Sequence, residues 1–313
     1  MLNRASRIFL ILLTTFSASA VAIAKQPYSV VRSRDYLMVF HKGTPALGYR
    51  ILPKSREGTH TRNNYVDLFD FQGNEITEDF PADHLHHRGV FWAWHQVLVN
   101  GKQLGDSWEC RDFIWDSKLV ETRHVKMGVR LSTETHWSSP DLVDQQGEQI
   151  PVVDEKTVIT LHRTRGPIRV IDFHIQIQPL VENFELGGSD NDKGYGGFSP
   201  RIVLPADVTF WSQQGVVQPQ RTAIDAGPWI NIEGTFHPDD QAPSAIAIIC
   251  HPENPVYPDQ WILRAKGSMQ NAAYPGQHPV PISIDQPLNL RYRMVIQADG
   301  HQPKRVEKLS KQF

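Results

Sequence analysis

From Ile168 to Pro179 the side chains alternate without a break. Val170, Asp172, His174, Gln176 and Gln178 fall on one side; Ile171, Phe173, Ile175 and Ile177 fall on the other. A period of two sends successive side chains to opposite faces of an extended strand. Residues 118–124, 126–137 and 156–163 read as further long strands. Residues 28–32, 36–41 and 46–52 read as short ones, punctuated by Gly43, Pro45 and Pro53. Residues 202–211, 245–250 and 289–297 resume the pattern, and the tail after Gly300 reads as surface chain. Helical periodicity is sustained nowhere. Many strands with Gly/Pro turns and few or no helices bury their apolar faces as a sandwich or a barrel, so an all-β fold is expected.

The first 24 residues stand apart from this pattern. Arg4 and Arg7 precede an apolar run at 8–16, and Ala22-Ile23-Ala24 supplies a small-residue cleavage site before Lys25. This is the pattern of a secretory signal peptide, with an apolar run too short to span a bilayer. A periplasmic or secreted protein is therefore expected, with residues 25–313 as one β domain. Without Arg4 and Arg7, 30 basic residues face 34 acidic ones, a net charge near −4. That balance, with no basic run, argues against nucleic acid or an anionic membrane as partner. Cys110 and Cys250 can pair in an oxidising compartment or stand as two separate thiols.

Chemistry concentrates at residues 83–100, DHLHHRGVFWAWHQVLVN. His84, His86, His87 and His95 offer proton transfer near neutrality or metal ligation, and the stretch reads as a polar, histidine-dense loop feeding a strand at 89–99. In an extended segment His84 and His86 share a face and His87 opposes them, a spacing that permits two imidazoles on one metal. Trp92 and Trp94 beside them offer flat rings for a sugar face. Arg88 and Arg201 are forked donors for a carboxylate or oxyanion. Residues 182–201 form a glycine-rich, acidic stretch carrying Asp190, Asp192, Lys193 and Tyr195, read as a loop whose backbone must approach something closely. Asn100-Gly101 reads as a hairpin turn. Residues 251–255, HPENP, with Trp261 form another loop–strand junction. No nucleophile elbow, phosphate-binding glycine loop, CxxC or HExxH occurs.

At His86-His87-Arg88-Gly89, Trp92, Asn100-Gly101, Trp108-Glu109, Asp192-Lys193, Arg201, His251 to Pro255 and Trp261, the chain resembles a bacterial family labelled PmoA-like, "methane oxygenase PmoA". The resemblance implies an exported protein tied to glycan breakdown, with a fold similar to galactose-mutarotase-like supersandwiches. Methane oxygenation is not implied, because no run downstream of the leader is long enough to span a membrane. The leading expectation is an exported carbohydrate-active enzyme using histidine acid–base chemistry for hydrolysis, elimination or epimerisation. His86, His87 and Glu109 are the catalytic candidates. His84, Arg88, Trp92, Trp94, Asn100, Asp192, Lys193, Tyr195, Arg201, His251 and Trp261 are the ligand-binding ones, and His86, His87 and Arg88 are expected to line one cleft with Arg201 and His251. A carbohydrate is the expected partner, and no cofactor or metal is assigned. A non-catalytic glycan-binding protein and a metal-dependent oxidoreductase are the alternatives.

Overall fold

The computed structural model describes residues 27–126 and 128–313; the leader lies outside them. Two large antiparallel sheets pack face to face. The first has eight strands in the spatial order Tyr28–Arg32, Tyr36–His41, Thr44–Arg50, Val66–Leu68, Val90–Trp94, Gly196–Pro200, Asn271–Ala273, Gln260–Ile262. The second has nine: Ile114–Val125, Gly128–Val143, Gln149–His162, Ile168–Pro179, Leu288–Gln297, Ser244–Cys250, Trp229–Gly234, Thr209–Ser212, Gly215–Val217. The alternation at Ile168–Pro179 is seen directly: Ile171, Phe173, Ile175 and Ile177 are buried and their neighbours half-buried. The sheets meet through aromatic pairs. Phe198 of the first stacks on Tyr292 of the second at 4.4 Å and meets Phe173 edge-on at 5.1 Å, while Trp94 packs on Trp137 at 5.8 Å. Offset and edge-on rings add specific contact energy to plain area burial.

The run at 89–99 is not one strand. Val90–Trp94 belongs to the eight-stranded sheet, whereas Gln96–Val99 joins a four-stranded sheet beside Phe184–Gly187. His95 sits at the seam. Val90–Trp94 is buried on both faces. Val90, Trp92 and Trp94 face the main core, while Phe91 and Ala93 join a smaller cluster with Tyr65, Trp108, Ile262 and Met269. That smaller cluster is the floor of the cleft described below.

Two further readings are corrected and a third, the surface tail, gains structure. Residues 182–201 are not all loop, since they contain Phe184–Gly187 and Gly196–Pro200. The close approach that their glycines permit is to the chain's own backbone. A Cβ on Gly188 would press on the carbonyl of Gly194 and stand 2.7 Å from that of Gly276, and Gly188 donates its N–H to Gly276 at 2.8 Å. Over 202–211 the strand begins only at Thr209. The tail is a helix, Pro303–Lys311, which buries Val306 against Trp229 and Ile249. Proline in the first turn suits a helix start, and Val306 and Leu309 lie one turn apart on its packed side. Both thiols are free. Gly188→Ala should therefore lower stability by about 1–3 kcal/mol, the usual cost of overpacking; an unchanged urea midpoint would contradict the tight backbone crossing.

Candidate functional site

Residues 81–87 form tight turns, not a strand: His84 N–H donates to Pro81 O at 3.1 Å and His87 N–H to His84 O at 2.9 Å. The expectation that His86 and His87 point to opposite faces is thereby corrected. Chain reversal brings all three imidazoles together, with His84 stacked on His87 at 4.8 Å and His86 edge-on to His87 at 4.5 Å. His60 lies 6.1 Å from His86.

Two buried arginines hold this loop. Arg88 donates to the carbonyls of Leu85, His87 and His60, faces Asp79 at 3.2 Å, and lies over the Phe80 ring at 3.4 Å. Arg201 follows Gly196–Pro200, the strand that pairs with Val90–Trp94. It reaches Glu78 at 2.6 Å, Asp83 at 2.8 Å and His87 Nδ1 at 3.3 Å. Buried guanidinium groups persist where their forked donors are matched, and losing a partner typically costs about 3–5 kcal/mol.

Across from the loop, residues 189–195 and the Ser268–Met269 pair close a cleft of about 250 Å³. His84, His86, His87, His95, Trp108, Glu109, Ser189, Asn191, Lys193 and Tyr195 complete its lining. His95, Trp108 and Tyr195 form a stack, at 5.3 Å and 5.8 Å between successive rings. Asp106 fixes this wall. One oxygen accepts from His95 Nδ1 at 2.8 Å, and the other accepts from the backbone N–H groups of Trp108 and Glu109. Glu109 then lies 3.2 Å from His86 Nδ1.

These partners assign the ring protons. A guanidinium can only donate, so His87 Nδ1 accepts from Arg201 and its proton sits on Nε2. A carboxylate facing His86 Nδ1 favours a proton there, which leaves Nε2 with the free lone pair. Both rings are held neutral. Burial and the adjacent His84 and His60 push His86 down to about 3. Burial, with His86, His84 and Arg201 close by, pushes His87 well below the imidazole range. The cleft therefore presents a neutral base beside a neutral N–H donor. Because the folded pKa of His86 is depressed, its contribution to stability is present above about 6.5. It is lost as pH falls towards about 3, while the unfolded chain takes up the proton. Between pH 7 and 5 the wild type should thus lose about 1.5–2 kcal/mol more than His86→Gln. Parallel urea curves with equal losses would contradict a depressed imidazole.

Several expected ligand-binding residues lie elsewhere. Trp92, Trp94 and Trp261 are buried in the core, with the Trp94 and Trp261 indoles donating to Tyr274 O and Gly227 O. No ring face is left for a sugar. Arg88 and Arg201 stand behind the cleft and spend their donors on the chain. Asn100 occupies a hairpin turn with positive φ at both Asn100 and Gly101, and it accepts from Asn183. Asp192 pairs with Arg221 outside the cleft. His251 follows Ser244–Cys250 in the other sheet, with its ring against Phe313 at 4.8 Å. It does not join the cleft, which corrects the single grouping that included it. His84, His86, His87, Glu109, Lys193 and Tyr195 do line it. His95, a proton-transfer or ligand candidate in the sequence, lines it too, and so does Trp108, which the sequence reading gave no role in the site. Ser189, Asn191, Ser268 and Met269 carry no local signal.

Among the described residues, the cleft imidazoles do not converge as a three-ligand metal set. Glu134, His136 and Asp154 do bring ligand atoms within 4.8 Å of one another, but none of them lines the cleft, and Lys156 already pairs with Asp154 at 3.1 Å.

Comparison with known proteins gives a family but no activity. No curated protein matches the chain. Among solved structures it is similar to a crystal structure from Salmonella typhimurium described as a "putative mutarotase". The identity is 10% and the TM-score 0.37, over 86% of this chain and 94% of that one. A likeness of that size carries no weight here, and the antiparallel sandwich rests on the strand pairing itself. The family whose model matches residues 36–311 is "Family of unknown function (DUF6807)", which overturns the PmoA-like resemblance. The chain belongs to this family of unknown function.

Proposed function

We propose that this protein is an exported enzyme that moves protons on a sugar or sugar derivative, by epimerisation, elimination or a related step. The observation that carries the reading is the His86–His87 pair: two neutral imidazoles of opposite tautomer, 4.5 Å apart and open to one cleft. In this reading His86 Nε2 takes a proton while Glu109 faces the other ring nitrogen, and His87 Nε2–H donates to the oxygen on which charge develops. Tyr195 and the Trp108 edge provide an aromatic wall, and Lys193, Ser189, Asn191 and Ser268 supply polar groups for hydroxyls.

Hydrolysis is the weaker version. Glycosidases commonly flank the scissile bond with two carboxylates, whereas Glu109 is the single carboxylate among the lining residues. Arg4, Arg7 and the run to Ala24 support a periplasmic or secreted location.

The test is incubation in D₂O with a panel of reducing sugars and plant and algal oligosaccharides, followed by proton NMR and mass spectrometry. Exchange of a sugar C–H or a new product is expected. His86→Gln should slow it by about 10²–10⁴-fold, the range for a general base. His87→Gln, whose amide still offers an N–H, should cost less than His87→Leu. Binding without exchange or product would make the protein a glycan-binding module. Equal, small effects of all three substitutions would remove the histidines from the chemistry.

A further inference from the structure

Lys193 borders more than the histidine cleft. The same side chain also lines a second basin of about 360 Å³, on the far side of residues 192–194. Its apolar lining comes from Ala223, Val256, Ala273 and Pro275, beside Gly194 and Gly276. Its rim carries Gln260, Gln277 and Asp192. Each rim group is held in place. Gln260 Nε2 donates to Asp225 at 3.0 Å and Gln277 Nε2 to Asp190 at 3.3 Å, which leaves both amide carbonyls as acceptors; Asp192 is clamped by Arg221. Val256, an apolar side chain of the lining, is 44% exposed.

A mixed lining of small apolar groups and anchored polar ones suits a saccharide ring, whose C–H face packs on the former while its hydroxyls reach the latter. Each basin is near the small end of ligand-site volumes, with room for one ring apiece. The fixed acceptors match hydroxyl donors, and Lys193 offers a donor at the junction of the two spaces.

We propose that the ligand is an oligosaccharide of at least two units. One ring sits over His86 and His87, and the next lies across Lys193 in the basin between Gln260 and Gln277. The proposal rests on the sugar reading of the histidine cleft and adds its length requirement.

Isothermal titration of the full-length mature protein separates the two ideas. The probes are matched pairs: glucose with cellobiose and maltose, galactose with lactose, and xylose with xylobiose. For the pair that binds, the disaccharide should bind at least about tenfold more tightly, a gain near 1.4 kcal/mol. Val256→Trp, which adds bulk at an exposed edge, should bring the disaccharide-to-monosaccharide ratio to about one. Gln260→Ala, also exposed, should reduce that ratio in part. Equal affinity for both members of a pair in the wild type, or an unchanged ratio in Val256→Trp, overturns the second subsite and leaves the cleft reading intact. Binding of no member of any pair overturns both.

Discussion

Arg201 is the interaction on which the rest of the site depends. Its backbone closes a small knot: Arg201 N–H donates to Gly89 O, Gly89 N–H to Glu78 O, and Glu78 N–H to Arg201 O. Its side chain then ties Glu78 and Asp83 to His87 from behind the cleft. The pairing of Gly196–Pro200 with Val90–Trp94 delivers Arg201 to that point, so sheet register fixes the histidine loop. Arg88 does the same from within the loop. The two arginines therefore hold the cleft from behind. They convert a flexible turn into a rigid platform and set the tautomer of one ring, a form of preorganisation that catalysis by positioned groups requires.

The electrostatics follow from crowding. Three imidazoles within about 6 Å, with Arg62, Arg88 and Arg201 near them, cannot all be cationic in a half-buried site. The neutral state of His86 and His87 is thus a product of packing as much as of any single partner. Carboxylates compensate selectively: Asp106 turns His95, Glu109 faces His86, and Asp83 takes both His84 and Arg201. The aromatic stack of His95, Trp108 and Tyr195 ties one wall of the cleft to the other.

The strand framework was legible in the sequence because period-two burial is a local pattern: Ile171, Phe173, Ile175 and Ile177 declare their face without help from the rest of the chain. The density of histidine at 84–87 likewise marked the cleft. What the sequence hid was burial by distant chain. Trp92 and Trp94 are chemically suited both to a sugar face and to a sandwich core, and only the opposing sheet decides. Arg88 and Arg201 look like ligand donors until carbonyls and carboxylates from residues 60 to 87 are seen to occupy them. His251 carries a motif-like setting but lies on the other sheet. Ser268 and Met269 enter the cleft only because Asn271–Ala273 pairs with Gly196–Pro200. The histidine stretch reads as a loop and is one, and only the geometry of an extended segment had separated His86 from His87.

The central claim is that His86 and His87 are neutral neighbours of opposite tautomer. Long-range ¹H–¹⁵N correlation spectra of the ring nitrogens, recorded from pH 7 to pH 5 on the wild type with His86→Gln and His87→Gln for assignment, test it most directly. The account predicts one neutral ring protonated at Nδ1, lost in His86→Gln, and one neutral ring protonated at Nε2, lost in His87→Gln, with neither titrating in that interval. A cationic His87 at pH 6, or the same tautomer for both rings, would contradict it.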